Sequence, residues 1–180
     1  FTRGLLGEMD YTPVAFRNVR PEDFLIENKT HDGSPVVQST RCHQLAMSVV
    51  YESALAVFCD SPDNYKNGIG TEFLKEVPTT WDDTKVLNAS VGDYITIARK
   101  AGDKWFIGSM TDADERKLTI NFSFLEKGKY KAEIFEDAKN ANEYPSEVNY
   151  KEEVFTNIDS FSIELAKGGG FVAILELIEE

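Results

Sequence analysis

From Pro78 onward the chain repeats one pattern, a short run of alternating apolar and polar residues closed by turn residues, and that pattern leaves few folds open. Leu118, Ile120, Phe122 and Phe124 alternate with Thr119, Asn121 and Ser123, which sets one face of a strand against a core and the other in water. Phe161, Ile163 and Leu165 repeat the alternation. Residues 94–99 and 105–110 flank Gly102-Asp103, a hairpin signature. Residues 130–136 follow Gly128, 148–155 form a weaker strand, and Gly168-Gly169-Gly170 turns the chain into 171–178. About seven short strands with no helix between them predict an antiparallel β-sandwich over 79–180.

Residues 1–78 read differently. Between 40 and 59, Leu45, Ala46, Met47, Val49, Val50, Tyr51, Ala54, Leu55, Ala56, Val57 and Phe58 are apolar around most of a helical circumference, so this helix must be buried. Ser39 or Thr40 supplies its N-cap, and Asp60-Ser61-Pro62-Asp63 ends it and opens a short helix that stops near Gly68. Residues 72–77 add a turn or two. Met9-Asp10-Tyr11-Thr12-Pro13-Val14 reads as a short strand closed by proline, and the polar stretch 17–39 reads as a long loop. One buried helix beside a long loop makes no core, so this part is expected to be the end of a domain whose beginning lies elsewhere, with that domain's sheet covering the helix.

Cys42 and Cys59 flank the predicted helix roughly 25 Å apart, beyond disulfide reach, and read as unpaired thiols. The net charge of -12 argues against nucleic acid and against an anionic membrane surface as partners, since both need clustered Lys and Arg. The apolar run 45–59 is broken by Ser48, Glu52 and Ser53 and is too short to insert into a bilayer. The opening Phe1-Thr2-Arg3-Gly4 has neither an initiator Met nor a signal layout, and the chain is expected to begin inside a larger protein.

Motifs that carry chemistry are sparse. Gly68-Ile69-Gly70 has Phe73 where a dinucleotide fingerprint needs glycine, and reads as a helix stop. Asp112-Ala113-Asp114-Glu115 lacks the further ligand and glycine of a calcium loop and reads as a solvated turn. Asn28, Asn88 and Asn121 begin glycosylation sequons, relevant in a eukaryotic secreted protein. His31 sits in the polar loop. His43, at the helix start, reads as a hydrogen-bonded core group. Glu52, on the same helix among apolar residues, needs a partner, expected from outside this segment.

Several blocks together resemble family 97 glycoside hydrolases: Phe1-Thr2-Arg3, Gly7-Glu8-Met9-Asp10-Tyr11-Thr12-Pro13, Thr40-Arg41-Cys42-His43-Gln44-Leu45-Ala46 through Val50-Tyr51-Glu52-Ser53, and Phe73-Leu74-Lys75-Glu76-Val77-Pro78-Thr79-Thr80-Trp81-Asp82-Asp83-Thr84. Gly108-Ser109-Met110-Thr111-Asp112 and Leu165-Ala166-Lys167-Gly168-Gly169-Gly170 carry the resemblance almost to the C-terminus. The resemblance implies a mixed fold: residues 1–78 as the end of a catalytic (β/α)8 barrel, its last strand and last helix, then a C-terminal all-β accessory domain over 79–180. It implies a calcium-dependent, exo-acting α-glucosidase or α-galactosidase, periplasmic or secreted in a bacterium, taking oligosaccharide substrate through the intact enzyme. The two catalytic carboxylates and the calcium ligands would lie upstream, so no catalytic or metal-binding residue is assigned within this sequence. Glu8 stands where the family more often has a small residue or proline and carries no catalytic claim. Asp10 and Tyr11, at the end of the expected barrel strand, are the candidate substrate-rim residues.

A rival reading is a stand-alone, noncatalytic carbohydrate-binding module. It requires two or three of Trp81, Tyr94, Trp105, Phe106 and Tyr130 on one open face, whereas alternation places several of them toward the core. A purely structural sandwich domain fits the strands but leaves the helix block without a purpose.

Overall fold

The computed structural model describes residues 7–30, 35–66 and 68–179. His31 and the Phe1-Thr2-Arg3 block lie outside them. Strands dominate after Pro78: β3 (Asp83–Ser90), β4 (Tyr94–Ala101), β5 (Lys104–Thr111), β6 (Arg116–Asn121), β7 (Lys129–Asp137), β8 (Val148–Thr156), β9 (Ser160–Leu165) and β10 (Gly170–Glu179). Before it come β1 (Arg17–Asn18), α1 (Phe24–Thr30), β2 (Val36–Val37), α2 (Arg41–Val50), α3 (Pro62–Lys66) and α4 (Thr71–Glu76).

The sheet is six-stranded in the order β3-β4-β5-β10-β7-β8, and every neighbouring pair in it is antiparallel. The last strand in sequence thus occupies a central place, between β5 and β7. β6 and β9 form a separate two-stranded ribbon. The sheet carries a core on each face. Ala98, Trp105, Ile107, Ala132, Ile134, Phe171, Ala173 and Leu175 meet Ile120, Phe122, Ile163 and Leu165 around the ribbon. Ile97, Phe106, Met110, Phe135, Val172 and Ile174 point the other way, onto Cys42, Leu45, Ala46 and Val49 of α2 and Phe73 of α4. A strand buried on both faces loses its alternation, which is why Phe171-Val172-Ala173-Ile174-Leu175 is one continuous apolar run.

The sandwich, the Gly102 hairpin and the short helices after residue 60 agree with the sequence reading, and β3 is an addition to it. Several expectations are corrected. The buried helix ends at Val50 rather than continuing to Cys59, since Tyr51 is extended at its C-cap. Cys59 and Glu52 therefore lie outside it, and both cysteines are free thiols. The polar stretch 17–39 holds α1 and the parallel pair of β1 with β2. Residues 9–14 form no strand. Above all, α2 is not waiting for a foreign sheet: the six-stranded sheet of this same chain covers it.

That covering rests on two close approaches. A Cβ on Gly108 of β5 would lie 2.8 Å from Val49 Cβ and 3.1 Å from Ala46 O, so the missing side chain lets the helix sit down on the strand. A Cβ on Gly170 would collide with the backbone of Cys42 and His43. The turn before β10 is bonded to the helix start as well: Thr40 N–H donates to Gly168 O (3.0 Å) and the His43 ring to Gly169 O through Nδ1 (3.1 Å). A carbonyl only accepts, so Nδ1 carries the proton; burial holds the ring neutral, its pKa pushed down to about 4.

Asp137, at the end of β7, fastens the other side of the turn. Its Oδ2 accepts from Ala166 N–H (3.0 Å) and Gly170 N–H (2.9 Å). Burial is the largest influence on this carboxyl and pushes its pKa up to about 6, against the Ala166 and Gly170 amide hydrogen bonds that favour its charge. A raised acid binds more protons folded than unfolded across roughly pH 4–6, so its contribution to stability is full below about 3.8 and is lost as pH rises through about 6. Asp137→Asn keeps an acceptor for the two amides and removes the titration. Urea unfolding of both proteins should show the variant gaining about 2 kcal/mol on the wild type between about pH 4.5 and 7.5. A difference that does not change with pH would contradict the assignment.

Candidate functional site

Asp10 and Tyr11 lie where the extended segment 7–16 passes the C-terminal end of α2. Single hydrogen bonds to irregular neighbours, rather than a ladder, hold this segment. Met9 N–H donates to Glu52 O (3.1 Å) and Cys59 N–H to Pro13 O (3.1 Å). Val14 and Ala15 N–H both donate to Gln44 Oε1 (3.1 Å each), Phe16 N–H to Asp60 Oδ2 (2.7 Å), and the Tyr65 hydroxyl to Val14 O (2.7 Å). Val14 is fully buried at φ 71, a conformation that costs a β-branched residue roughly 1–3 kcal/mol and persists because its amide and carbonyl are both held.

The Tyr11 hydroxyl points at two carbonyls of the helix end, Met47 O (3.1 Å) and Tyr51 O (3.4 Å), and its ring meets Tyr51 edge-on at 5.5 Å. Met47 O also accepts from the Tyr51 N–H (3.1 Å), so the hydroxyl adds a second donor at the helix end and ties it to the extended segment. Burial pushes its pKa up to about 12, partly offset by the nearby Arg99 cation. Tyr11 is thus a helix cap with its proton committed. Asp10 is exposed and opens onto a shallow cleft of about 390 Å³ lined by Glu8, Met9, Asp10, Ser53, Ala54 and Leu55.

Arg99 of β4 reaches the same corner from the sheet. Its guanidinium donates to Val50 O (3.3 Å), lies 3.7 Å from Glu52 and sits over the Trp81 ring at 5.7 Å. Burial lowers its pKa, and Glu52 opposes that. Glu52 is therefore half-exposed with its cationic partner inside this chain, not the buried carboxylate in need of an outside partner that a longer helix implies. Arg41, at the other end of α2, donates to Phe16 O (2.7 Å) and Asn18 Oδ1 (2.9 Å) and lies 3.8 Å above the Phe16 ring; burial pushes it down to about 10.

Sequence reasoning singled out Asp10, Tyr11, His43 and Glu52, and the structure brings Tyr11 and Glu52 to one corner with Arg99. Arg99, Gln44 and Asp137 went unnoticed because each stands at a polar position of an otherwise ordinary strand or helix. The signal available was a polar side chain among apolar ones, as in Ile97-Ala98-Arg99. Among the described residues no group of three or more His, Cys, Asp or Glu is placed to hold a metal ion. The aromatic residues that a sugar platform would need are turned inward: Trp105, Phe106 and Tyr130 are buried, Trp81 packs edge-on against Phe106 at 5.6 Å, and Arg116 lies over Tyr94 at 5.2 Å.

The chain is thus an antiparallel sandwich backed by α2, with most of its aromatic rings in the two cores. The sequence matches the family described as "Glycosyl-hydrolase 97 C-terminal, oligomerisation" over residues 80–176. It is 37% identical over 172 residues to a retaining alpha-galactosidase of Bacteroides thetaiotaomicron, covering 95% of this chain and 25% of that protein. A probable retaining alpha-galactosidase of Streptomyces bingchenggensis is 28% identical over 176 residues, covering 97% of this chain and 24% of that protein. The fold superposes with a TM-score of 0.84 on a family 97 glycoside hydrolase from Pseudoalteromonas sp. strain K8 in complex with panose, at 30% identity, covering 98% of this chain and 27% of that one. The chain belongs to glycoside hydrolase family 97, carries its C-terminal domain, and spans about a quarter of the length of these relatives.

Tyr11→Phe removes the cap without changing ring packing. It should lower stability by about 1–2 kcal/mol, seen as a fall in Tm of a few degrees in a thermal melt. An unchanged melting temperature would mean that the hydroxyl is not committed to the helix end.

Proposed function

We propose that this chain is the C-terminal portion of a calcium-dependent, exo-acting α-glycosidase, with the catalytic carboxylates and the calcium ligands upstream of it. The observation that carries this reading is the 37% identity to a retaining alpha-galactosidase across both the helix block and the sandwich. Since that relative is named a retaining alpha-galactosidase and the Streptomyces one a probable retaining alpha-galactosidase, α-galactosidase is favoured over α-glucosidase as the activity of the whole protein. Residues 1–78 would complete the (β/α)8 barrel, and 79–180 would support it. Leu55, Val57 and Phe58, exposed together just after α2, suit a surface that packs on further protein. No helix among the described residues is long and apolar enough to cross a membrane, and placement in the periplasm or outside a bacterial cell is part of the proposal.

In this reading Asp10 is a rim contact that hydrogen-bonds a sugar hydroxyl, and Tyr11 fixes the backbone beside it. The test is release of p-nitrophenol from α-galactoside and α-glucoside by the full-length protein, with calcium and after chelation. Turnover of the galactoside that falls on chelation and returns with calcium is expected. Asp10→Asn should raise KM about three- to tenfold with kcat nearly unchanged, the mark of an interaction present in ground and transition state alike. Turnover of neither substrate would overturn the proposal, and an unchanged KM would remove Asp10 from the rim.

A further inference from the structure

The six-stranded sheet ends in two edge strands that differ. β3 is blunted: its register shifts between Val86 and Asn88, and the Asn88 side chain donates to Thr119 O of β6 (2.9 Å), drawing the edge toward the ribbon. β8 pairs with β7 in unbroken register from Lys129↔Thr156 to Asp137↔Val148. Among the described residues no backbone group outside β7 bonds to residues 149–155. A regular, nine-residue edge with its outer row of amides and carbonyls open is a template for one more strand.

We propose that a second copy of this chain adds to the sheet through β8, antiparallel, on a two-fold axis that passes through Glu152. The register follows from the side chains. Tyr150 and Val154, 49% and 55% exposed, lie two residues to either side of Glu152 on the face that carries α2. Lys151 and Glu153 lie one residue to either side on the opposite face. A two-fold axis normal to a sheet pairs residues equally distant from it, so Tyr150 meets Val154 of the second copy and Lys151 meets Glu153 of the second copy, each twice. Lys151 also reaches Glu136 (3.1 Å) and Glu153 (3.4 Å) in its own chain, and moving the axis to Lys151 or to Glu153 separates both the apolar pair and the opposite-charge pairs. At the chosen centre Glu152 faces its own copy, but it is already neutralised by Lys131 (2.9 Å) and bonded by the Tyr150 hydroxyl (2.9 Å). Charges on an edge ordinarily repel added strands; here their order selects one partner and one register. The match to a C-terminal domain described with oligomerisation agrees with a self-partner, and the inference names the strand and the register. It is independent of which glycoside the whole protein cleaves.

The test is sedimentation equilibrium of the full-length protein, wild type against Lys151→Glu and Glu153→Lys, with thermal melts to show that each is folded. Either variant alone sets like charges opposite one another at both symmetric pairs and should weaken self-association about tenfold or more. Mixed in equal amounts, the two variants regain opposite charges at both pairs, and the mixture should associate within about threefold of wild type. A local structural effect of either substitution would not be rescued by mixing. A monomeric wild type, variants that self-associate like wild type, or a mixture no tighter than its components would each overturn the proposal. Because glycoside turnover is measured separately, failure here leaves the activity reading untouched.

Discussion

The seating of α2 on two strands that carry glycine at the contact is the constraint from which the rest follows. Helix and sheet normally stand about 10 Å apart, separated by two layers of side chains. Gly108 and Gly170 remove one layer, so Ala46 and Val49 meet β5 directly and the Cys42-His43 backbone meets the start of β10. Leu45, Val49, Phe106, Met110 and Val172 then close into a single core. Because β10 lies between β5 and β7, which precede it in sequence, this core cannot form until β10 has joined the sheet. The pairing is long-range and is expected to be a late step in folding.

Both ends of the helix are fixed by the elements that matter for its position. At the N-terminus the Gly168-Gly169-Gly170 turn is held between Thr40 and His43 on one side and Asp137 on the other. At the C-terminus the Tyr11 hydroxyl bonds to Met47 O and Tyr51 O, and Arg99 to Val50 O. The segment 7–16 is positioned through the same helix, by the Gln44 side-chain amide oxygen that accepts from Val14 and Ala15. The residues that carry Asp10 and Tyr11 are thus tied to the sheet through α2.

Much of the sandwich was legible because half-buried strands must alternate and hairpins need glycine at a left-handed position, as at Gly102 with φ 57. The resemblance blocks located the family from residues that the structure shows to be structural: Thr40 as N-cap, Arg41 under Phe16, and the glycine turn. The helix end was not legible. Apolar periodicity continues through Phe58, yet Tyr51 is extended at the C-cap and the Tyr11 hydroxyl, forty residues earlier, bonds to Met47 O and Tyr51 O at that helix end. Leu55 and Val57 are left exposed, 77% and 58%, so a pattern that reads as core is surface in this chain. Of the candidate site, the resemblance named Asp10 and Tyr11, whose part in substrate binding stands as a proposal. Arg99 could not be named, because its partner Glu52 is set by the fold and not by spacing.

The central claim is that α2 and the six-stranded sheet form one cooperative unit, with no sheet from another domain needed to hold the helix. Native-state hydrogen exchange of this chain measures it most directly. The amides of Leu45–Val50 should open with the same free energy as those of Phe106, Ile107, Val172 and Ala173, all through global unfolding. Exchange of the α2 amides at a free energy several kcal/mol below that of β10 would show a helix that leaves the sheet by itself, and would contradict the account.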